Sequence, residues 1–337
     1  MFWKGEVVMS IRSNLCTVLV GAVVFAFGPI GSASAAPPAD WSKIPAKNVN
    51  MFYPGQSTYE WLLSKEHKKG NTKVPEGAKC SKCHDGDEQD MGEAIAGGDH
   101  PLEPTPIEGK QGFMKAAVRA AHDNDNLYLQ IQFKTKSPDN VRVGLMLDDG
   151  KVPNFAAQGC WLTCHNGMKG TQGAADEAKV KAHPLLGDSG LKKKDIRKYL
   201  AASRADGTSW DKTKSAADIA AVKKAGGFVD LMYWRIKDGK PQTKDSYVLE
   251  YRLDDTKDSI GDAGKSSGSL NGDVYTVVVQ RKLNTGHPDD KALKAGGVYT
   301  IGFAIHDGKK QDRFHVTSFP MQLGIGADGD IKAVAVK

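Results

Sequence analysis

The sequence predicts a mainly β fold, an antiparallel β-sandwich with a helical insertion, preceded by a small helix-and-loop segment. Three observations lead to this prediction. From residue 113 onward, short apolar or alternating runs rich in Val, Ile, Tyr and Phe are separated by turn residues. A stretch rich in Ala and Lys, residues 171–226, interrupts these runs. Residues before 111 lack this strand texture, and the Pro-rich stretch 101–112 reads as a linker.

Eight segments have the length and composition of strands. They are 115–122, 126–134, 141–149, 228–236, 245–253, 273–283, 298–308 and 312–323. The helical insertion is predicted to contain helices at 193–204 and 216–226, the second ended by Gly226 and Gly227. Another short helix is predicted at 57–67, where Ser57 is placed to cap it and Glu60 occupies the capping-box position.

The first 36 residues have the pattern of a secretory signal. An apolar run at 14–30 follows Lys4 and Arg12, and small residues after it offer an Ala-x-Ala cleavage site at 33–35. The alternative is an uncleaved anchor helix, but the run is short for a membrane span and contains Pro29. The expected organisation is therefore a signal at 1–36, an N-terminal segment at 37–110 and a β-sandwich domain at 111–337, exported as a soluble protein to the periplasm.

The net charge of +6 does not indicate a nucleic-acid function. The Lys-rich stretches "EHKKG" and "LKKKDIRK" are interpreted as solvated faces or docking patches for an acidic redox partner.

The stretch "AKCSKCHDGDEQD", residues 78–90, carries the first chemical motif. Two thiols separated by two residues can add to the two vinyl groups of a haem, and the next residue, a histidine, can reach the iron. Cys80, Cys83 and His84 match this signature. A thioredoxin-like dithiol is the first alternative, but it should open a helix after a strand, and the flanks here read as loop. A zinc site built from both cysteine pairs is the second alternative, although zinc does not need the histidine that follows each pair.

The second motif has one more residue between its cysteines. Cys160, Cys164 and His165 form the pattern "CWLTCH", and a small bulge can take up the extra residue. The alternative is a disulfide between Cys160 and Cys164. Of the five cysteines, Cys16 lies in the signal, so the two motifs use all that remain. Two covalently bound haem c groups are therefore predicted, with His84 and His165 as iron ligands.

Several stretches resemble a known family. They are "AAVRAAHDNDNLYLQIQF", "GCWLTCH", "FVDLMYWRI", "QRKLNTG" and "YTIGFAIHDG…RFHVTSFPMQLGIG". Over residues 111–330 these resemble the haem-binding domain of the ethylbenzene dehydrogenase γ-subunit type. The resemblance implies a β-sandwich that accompanies molybdenum enzymes of the dimethyl sulfoxide reductase family and holds a b-type haem between Met and Lys. The cysteine pair and His165 depart from that pattern, so the chain resembles the c-type dihaem branch of the family instead.

The remaining iron ligands are predicted from position. For the first haem, His67 ends the helix that precedes the motif, and Met91 and His100 are its competitors. For the second haem, the resemblance implies a ligand from the last strand, where His315 stands in place of the family's lysine. His183, Met168 and Met321 are held in reserve.

The predicted function is electron transfer by a periplasmic dihaem c-type cytochrome. The chain would supply ligands, burial and a docking surface, while the redox chemistry belongs to the iron. One alternative is a dihaem peroxidase or reductase, which would need a haem with an open coordination site. Another, implied by the resemblance, is an electron-transfer subunit docking on a molybdoenzyme. A membrane quinol oxidoreductase is a further possible partner.

Overall fold

The chain folds mainly as β-sheet, and its described residues include thirteen strands hydrogen-bonded into one continuous sheet. The computed structural model describes residues 36–55, 59–101, 103–161, 177–182, 211–212, 214–237, 240–248, 253–255, 266–308 and 314–336. Residues Ala35–Lys337 form one compact unit. Among the helices described, none is both long and apolar enough to cross a membrane.

The strands run from residue 47 almost to the C-terminus. They are β1 Lys47–Phe52, β2 Phe113–His122, β3 Asn126–Lys134, β4 Val141–Asp148, β5 Val229–Lys237, β6 Lys240–Val248, β7 Leu253–Asp255, β8 Ser267–Asn271, β9 Val274–Lys282, β10 Val298–Asp307, β11 His315–Thr317, β12 Met321–Ile325 and β13 Ile331–Ala335.

The sheet folds over so that its two ends face each other. We call these ends the two wings, one formed by β4–β7 and the other by β3, β9 and β8. Its strand order is β7-β6-β5-β4-β10-β11-β1-β2-β3-β9-β8, and β12 and β13 link β10 to β2 a second time. The pairs β12–β13 and β13–β2 are parallel, and the other pairs are antiparallel. Trp234 of β5 lies 5.7 Å from Tyr275 of β9, ring centre to ring centre, so the β4–β7 wing packs on the β3–β9–β8 wing.

Alternation along each strand decides which side chains enter the space between the wings. On β10, Ile301, Phe303 and Ile305 belong to the main core, so Gly302, Ala304 and His306 face the other way. We call that second side of β4, β5 and β10 the outer face. A smaller apolar cluster covers it and includes Met146 and Phe155.

The helices are short and lie between strands. They are α1 Tyr59–Leu62, α2 Gly70–Lys73, α3 Ser81–His84, α4 Glu88–Gly97, α5 Pro153–Gln158, α6 Glu177–Ala182 and α7 Ala216–Lys224, with 3₁₀ turns at Trp41–Lys43, Lys65–His67, Pro138–Asn140 and Gly159–Trp161.

The predicted mainly β fold is confirmed, and strands appear in all eight predicted segments. The predicted helix at 216–226 is α7, capped by the Ser215 side chain, which accepts a hydrogen bond from the Asp218 amide. The predicted helix at 57–67 is instead two short pieces, α1 and the 3₁₀ turn Lys65–His67. The predicted helix at 193–204 and the predicted signal, apart from Ala36, lie outside the described residues.

Four strands were missed by the sequence patterns. β1 alternates but carries two asparagines, which strands disfavour, and β8 is exposed along its whole length. β7 is only three residues long, and β13 follows a Gly-rich turn that the sequence marks as loop. β1 belongs to the N-terminal segment 37–110, yet it pairs with β2 and β11 of the sandwich. The modular boundary near residue 110 stays a prediction.

Candidate haem site

The first cysteine motif forms a single helical turn. Cys80 has helical backbone angles and leads directly into α3, and the amides of Cys83 and His84 both donate to the Cys80 carbonyl at 3.1 Å. Residues three and four apart share one side of a helix, so both thiols and the imidazole are presented together. The flank before the motif, residues 76–79, is turn and loop as expected, and the flank after it is a turn at 85–87 that leads into α4 at Glu88. The element before it is α2 rather than a strand, which is not the thioredoxin-like order.

The two thiols differ in environment. Both are free, with Cys83 exposed and Cys80 half-buried. Burial is the main cause that raises the pKa of Cys80 to about 12, so this sulfur remains a neutral thiol. A buried neutral thiol is a poor redox nucleophile, which disfavours the dithiol alternative.

His67 and His84 face each other as a parallel pair. Their ring centres are 6.4 Å apart and the ring planes differ by 6°. Two metal–nitrogen bonds of about 2 Å, plus about 1 Å from each nitrogen to its ring centre, would put an axial pair roughly 6 Å apart. The observed separation of 6.4 Å is close to this value.

The His67 ring is oriented by its neighbours. Its Nδ1 lies 2.9 Å from the Leu62 carbonyl oxygen, and since a carbonyl only accepts, Nδ1–H is the donor. In the neutral ring this leaves Nε2 unprotonated and available to a metal. The Trp61 ring stacks on His67 with centres 5.2 Å apart.

The backbone beside His67 is also shaped for this ring. Lys68 has φ of 44°, a left-handed value found at no other non-glycine residue in the described part of the chain. A Cβ atom on Gly70 would lie 2.2 Å from Cε1 and Nδ1 of His67, so only glycine leaves room for the ring. Local strain and a close approach at one place are typical of functional sites.

His84 is partly buried, and its pKa is lowered mainly by that burial. The nearby His67 lowers it further, and Asp87, whose Oδ2 is 3.9 Å from His84 Nδ1, opposes the change. A lowered pKa keeps the imidazole neutral at neutral pH, which is the form that binds metals.

A cavity of about 390 Å³ opens beside the motif. Its size falls within the roughly 300–1,000 Å³ that cofactor sites occupy. The walls are apolar and the rim is lysine-rich. Lining residues include Leu62, Val74, Ala78, Phe319, Cys80, Cys83, His67 and His84, with Lys68, Lys69, Lys73 and Lys79 at the edge. An apolar cavity with two thiols and an opposed histidine pair fits a covalently bound haem.

Helix α5 ties this motif to the sandwich. The buried Gln158 donates through Nε2 to the Ala78 carbonyl at 2.8 Å, and the Cys80 amide donates to the Ala157 carbonyl at 3.3 Å. Neither Gln158 nor Gly70 was predicted as a site residue. Their roles depend on contacts between distant or bent segments, and no local pattern in the sequence marks them.

The second motif is only partly within the described residues. Cys160 lies in the 3₁₀ turn after α5, and its Sγ is 3.6 Å from the Met146 sulfur on the outer face. Cys164 and His165 lie outside the described residues, as do the reserves His183 and Met168.

His315 lies in β11 as predicted, with 9% of its surface exposed. It pairs in register with His306, and the two rings are 5.2 Å apart. Its backbone carbonyl accepts a hydrogen bond of 2.7 Å from Lys110 Nζ. Because His306 is on the outer face, the His315 ring lies on the side of the sheet where Cys160 packs.

Of the two competing ligands for the first site, His100 lies close enough to His67 for that ring to lower its pKa, after burial as the main cause. His100 contacts the Trp61 ring at 4.8 Å, and Met91 packs against the main core. Met321, a reserve for the second site, is half-buried against the same core.

Comparison with known proteins gives the family. The model of the family described as ethylbenzene dehydrogenase matches residues 39–269 and 251–318. A cytochrome c-552 from Stutzerimonas stutzeri is 36% identical over 332 residues, 96% of this chain and 99% of the relative. A cytochrome c-551 from Rhodocyclus tenuis is 26% identical over 310 residues, 87% of this chain and 98% of the relative.

One of the solved structures that match is a family 9 carbohydrate-binding module from Caldicellulosiruptor kristjanssonii in complex with cellotriose. The match covers 66% of this chain and 77% of the module's chain. Its TM-score of 0.26 and identity of 10% are too low to support an inference. The resemblance seen in the strands is confirmed by the family match, and the chain belongs to the ethylbenzene dehydrogenase family.

Proposed function

We propose that this chain is a dihaem c-type cytochrome that transfers electrons between redox partners. The observation that carries the proposal is the parallel His67–His84 pair beside two free thiols. The similarity to two cytochromes c over most of the chain supports the same role. When bound, haem supplies a one-electron couple between ferric and ferrous iron.

The residues of the first site take distinct roles. The thiols of Cys80 and Cys83 would hold the haem covalently, and His84 would be one of its iron ligands. His67 would be the other iron ligand, and its ring is oriented by the Leu62 carbonyl, the Trp61 ring and the space left by Gly70. Two imidazole ligands to one iron would favour an electron carrier over a peroxidase or reductase, because the enzyme needs an open coordination position.

For the second site we propose Cys160 and Cys164 as the covalent attachments, with His165 and His315 as iron ligands. Two observations support this assignment. Cys160 packs against the apolar cluster on the outer face, and His315 shares that face through its partner His306. Along β10, Gly302 contacts Phe155 of α5 and lies four residues from His306, a distance of about 13 Å at strand spacing.

The two attachment points are neighbours. The Cys80 amide contacts the Ala157 carbonyl, and Cys160 follows Ala157 by three residues. Even a fully extended chain would keep the two cysteine backbones within roughly 15 Å of each other. Such proximity supports direct electron exchange between the two cofactors.

The rim of the first cavity suits an acidic redox partner. Lys68, Lys69, Lys73 and Lys79 are exposed around its mouth, and of these Lys73 is paired with Glu76 at 2.7 Å. Lysines at a cofactor edge attract a negatively charged partner and raise the association rate at low salt. The N-terminal sequence pattern supports export, so we place this exchange in the periplasm.

A potentiometric titration followed by absorbance tests the electron-carrier role. We expect two one-electron, low-spin haems that do not bind carbon monoxide when reduced. A haem that binds carbon monoxide in the wild-type protein would instead favour the enzyme alternative. The family match favours one further candidate, a subunit that docks on a molybdoenzyme, which stable co-purification of a molybdenum-containing protein would reveal.

A further inference from the structure

Three aspartates meet between the two wings of the sandwich, away from the cysteine motifs in sequence. Asp230 of β5, Asp245 of β6 and Asp290 of the β9–β10 connection are 1%, 2% and 8% exposed. One carboxylate oxygen from each lies within 4.8 Å of the other two. Three carboxylates packed this closely in a buried place repel one another unless a positive charge is shared among them.

The nearby basic side chains account for only part of this charge. Arg281 of β9 reaches across the sandwich, and its Nη2 donates to Asp230 Oδ2 at 2.5 Å. The Lys291 backbone amide also donates to that oxygen, at 3.0 Å. The Lys291 ammonium instead contacts a different acidic pair, Asp148 at 3.2 Å and Asp149 at 2.6 Å. His287 Nδ1 lies 3.6 Å from Asp290 Oδ2, so one guanidinium and one imidazole face the three carboxylates.

Several carboxylate oxygens in this cluster have no hydrogen-bond partner among the residues that the structure describes. They include Oδ1 of Asp230, Oδ1 of Asp245 and Oδ2 of the adjacent, also buried, Asp289. Burying a carboxylate oxygen without a hydrogen-bond partner costs free energy. Its presence therefore points to a ligand that binds this oxygen.

We propose that Asp230, Asp245 and Asp290 bind a divalent cation of the calcium class between the two wings. Carboxylate oxygens are hard ligands of the kind that Ca²⁺ prefers, at about 2.3–2.6 Å from the ion. Oxygens bound to one such ion can be up to roughly 5 Å apart, and the three oxygens here lie within 4.8 Å of one another. Mg²⁺ gives up its water ligands reluctantly and is rarely held by protein ligands alone. The ion joins β5 and β6 to the connection after β9, and it has a structural function independent of electron transfer.

The test uses the full-length holoprotein and the metal itself. Protein dialysed against CaCl₂ and then against metal-free buffer is analysed for bound calcium by mass spectrometry of the elements. Thermal unfolding is followed by circular dichroism in EGTA, in CaCl₂ and in MgCl₂. Asp245→Asn removes one ligand, and Asp328→Asn, at an exposed residue paired with Lys332, is the matched control.

We expect one calcium per protein and an unfolding midpoint roughly 5 °C or more higher in CaCl₂ than in EGTA, with a smaller rise in MgCl₂. Asp245→Asn should lose the calcium response and, in EGTA, be at least as stable as wild type because one repelling charge is gone. Asp328→Asn should respond to calcium as wild type does. If Asp245→Asn fails to fold, the calcium content and the midpoint shift of the wild-type protein still test whether calcium binds. A wild-type protein that retains no calcium and unfolds identically in both buffers overturns the proposal.

Discussion

Replacing Gly70 by alanine probes the distal ligand without touching any group that binds the cofactor. The new Cβ would lie 2.2 Å from two atoms of the His67 ring and 2.6 Å from Nε2. Ordinary carbon contacts are about 3.5–4.0 Å, so the ring must move by more than about 1 Å. The Gly70 backbone is held in α2, where its carbonyl accepts from the Val74 amide at 2.9 Å. The ring, rather than the helix, is therefore the part that moves.

A displacement of this size is about half the length of a metal–nitrogen bond of roughly 2 Å. It should break the bond from His67 Nε2 and turn one of the two haems high-spin. A loss of helix stability would not explain this change in spin state, because Gly→Ala inside a helix is favourable by about 0.5–1 kcal/mol. Electron paramagnetic resonance of the oxidised protein and carbon monoxide binding by the reduced protein measure the change.

Gly97→Ala is the matched control. Gly97 ends α4, and a Cβ there would have no neighbour within 4 Å. It should leave both haems low-spin, whereas His67→Ala should reproduce the effect of Gly70→Ala. If Gly70→Ala and His67→Ala both stay fully low-spin and bind no carbon monoxide, the reasoning from the ring pair is refuted.

Three other perturbations test separate parts of the account. His315→Ala should turn the second haem high-spin and leave the first unchanged; an unaltered spectrum would make His315 structural and move Met321 or His183 forward. Residues 111–337 expressed alone should form a folded monohaem β-protein, less stable than the full chain because β1 no longer pairs with β2; a fragment that folds only with 37–110 present would contradict the boundary. Asp123→Ala should destabilise the protein by about 1–3 kcal/mol in denaturant titration without altering either haem spectrum, since its carboxylate accepts from the Asn126 amide and the Tyr128 hydroxyl, both at 2.6 Å; equal stability would contradict this.

Sequence spacing relates the candidate site residues where they are close together in the chain. Cys80, Cys83 and His84 form one helical turn, and His67 is only thirteen residues before Cys80, so spacing alone relates them. Likewise, strands such as β3 and β9 carry dense β-branched and aromatic residues, and these were found.

Features that depend on distant segments could not be predicted. The close approach of Gly70 to His67 follows from the sharp turn at Lys68, and the Gln158–Ala78 bond joins residues 80 apart. β1 is recognisable as a strand only when its partners β2 and β11 are known. The aspartate cluster draws on β5, β6 and the β9–β10 connection, and a sequence pattern cannot show that they meet.

The number of covalent cofactors tests the central claim most directly. Intact-mass measurement under denaturing conditions, on protein made with a cytochrome c maturation system, counts the haems that remain attached. We predict two haem additions for the wild type, one after Cys80→Ala with Cys83→Ala, and one after Cys160→Ala with Cys164→Ala. A single addition in the wild type would remove the second site, and the absence of any addition would contradict the account of this chain as a c-type cytochrome.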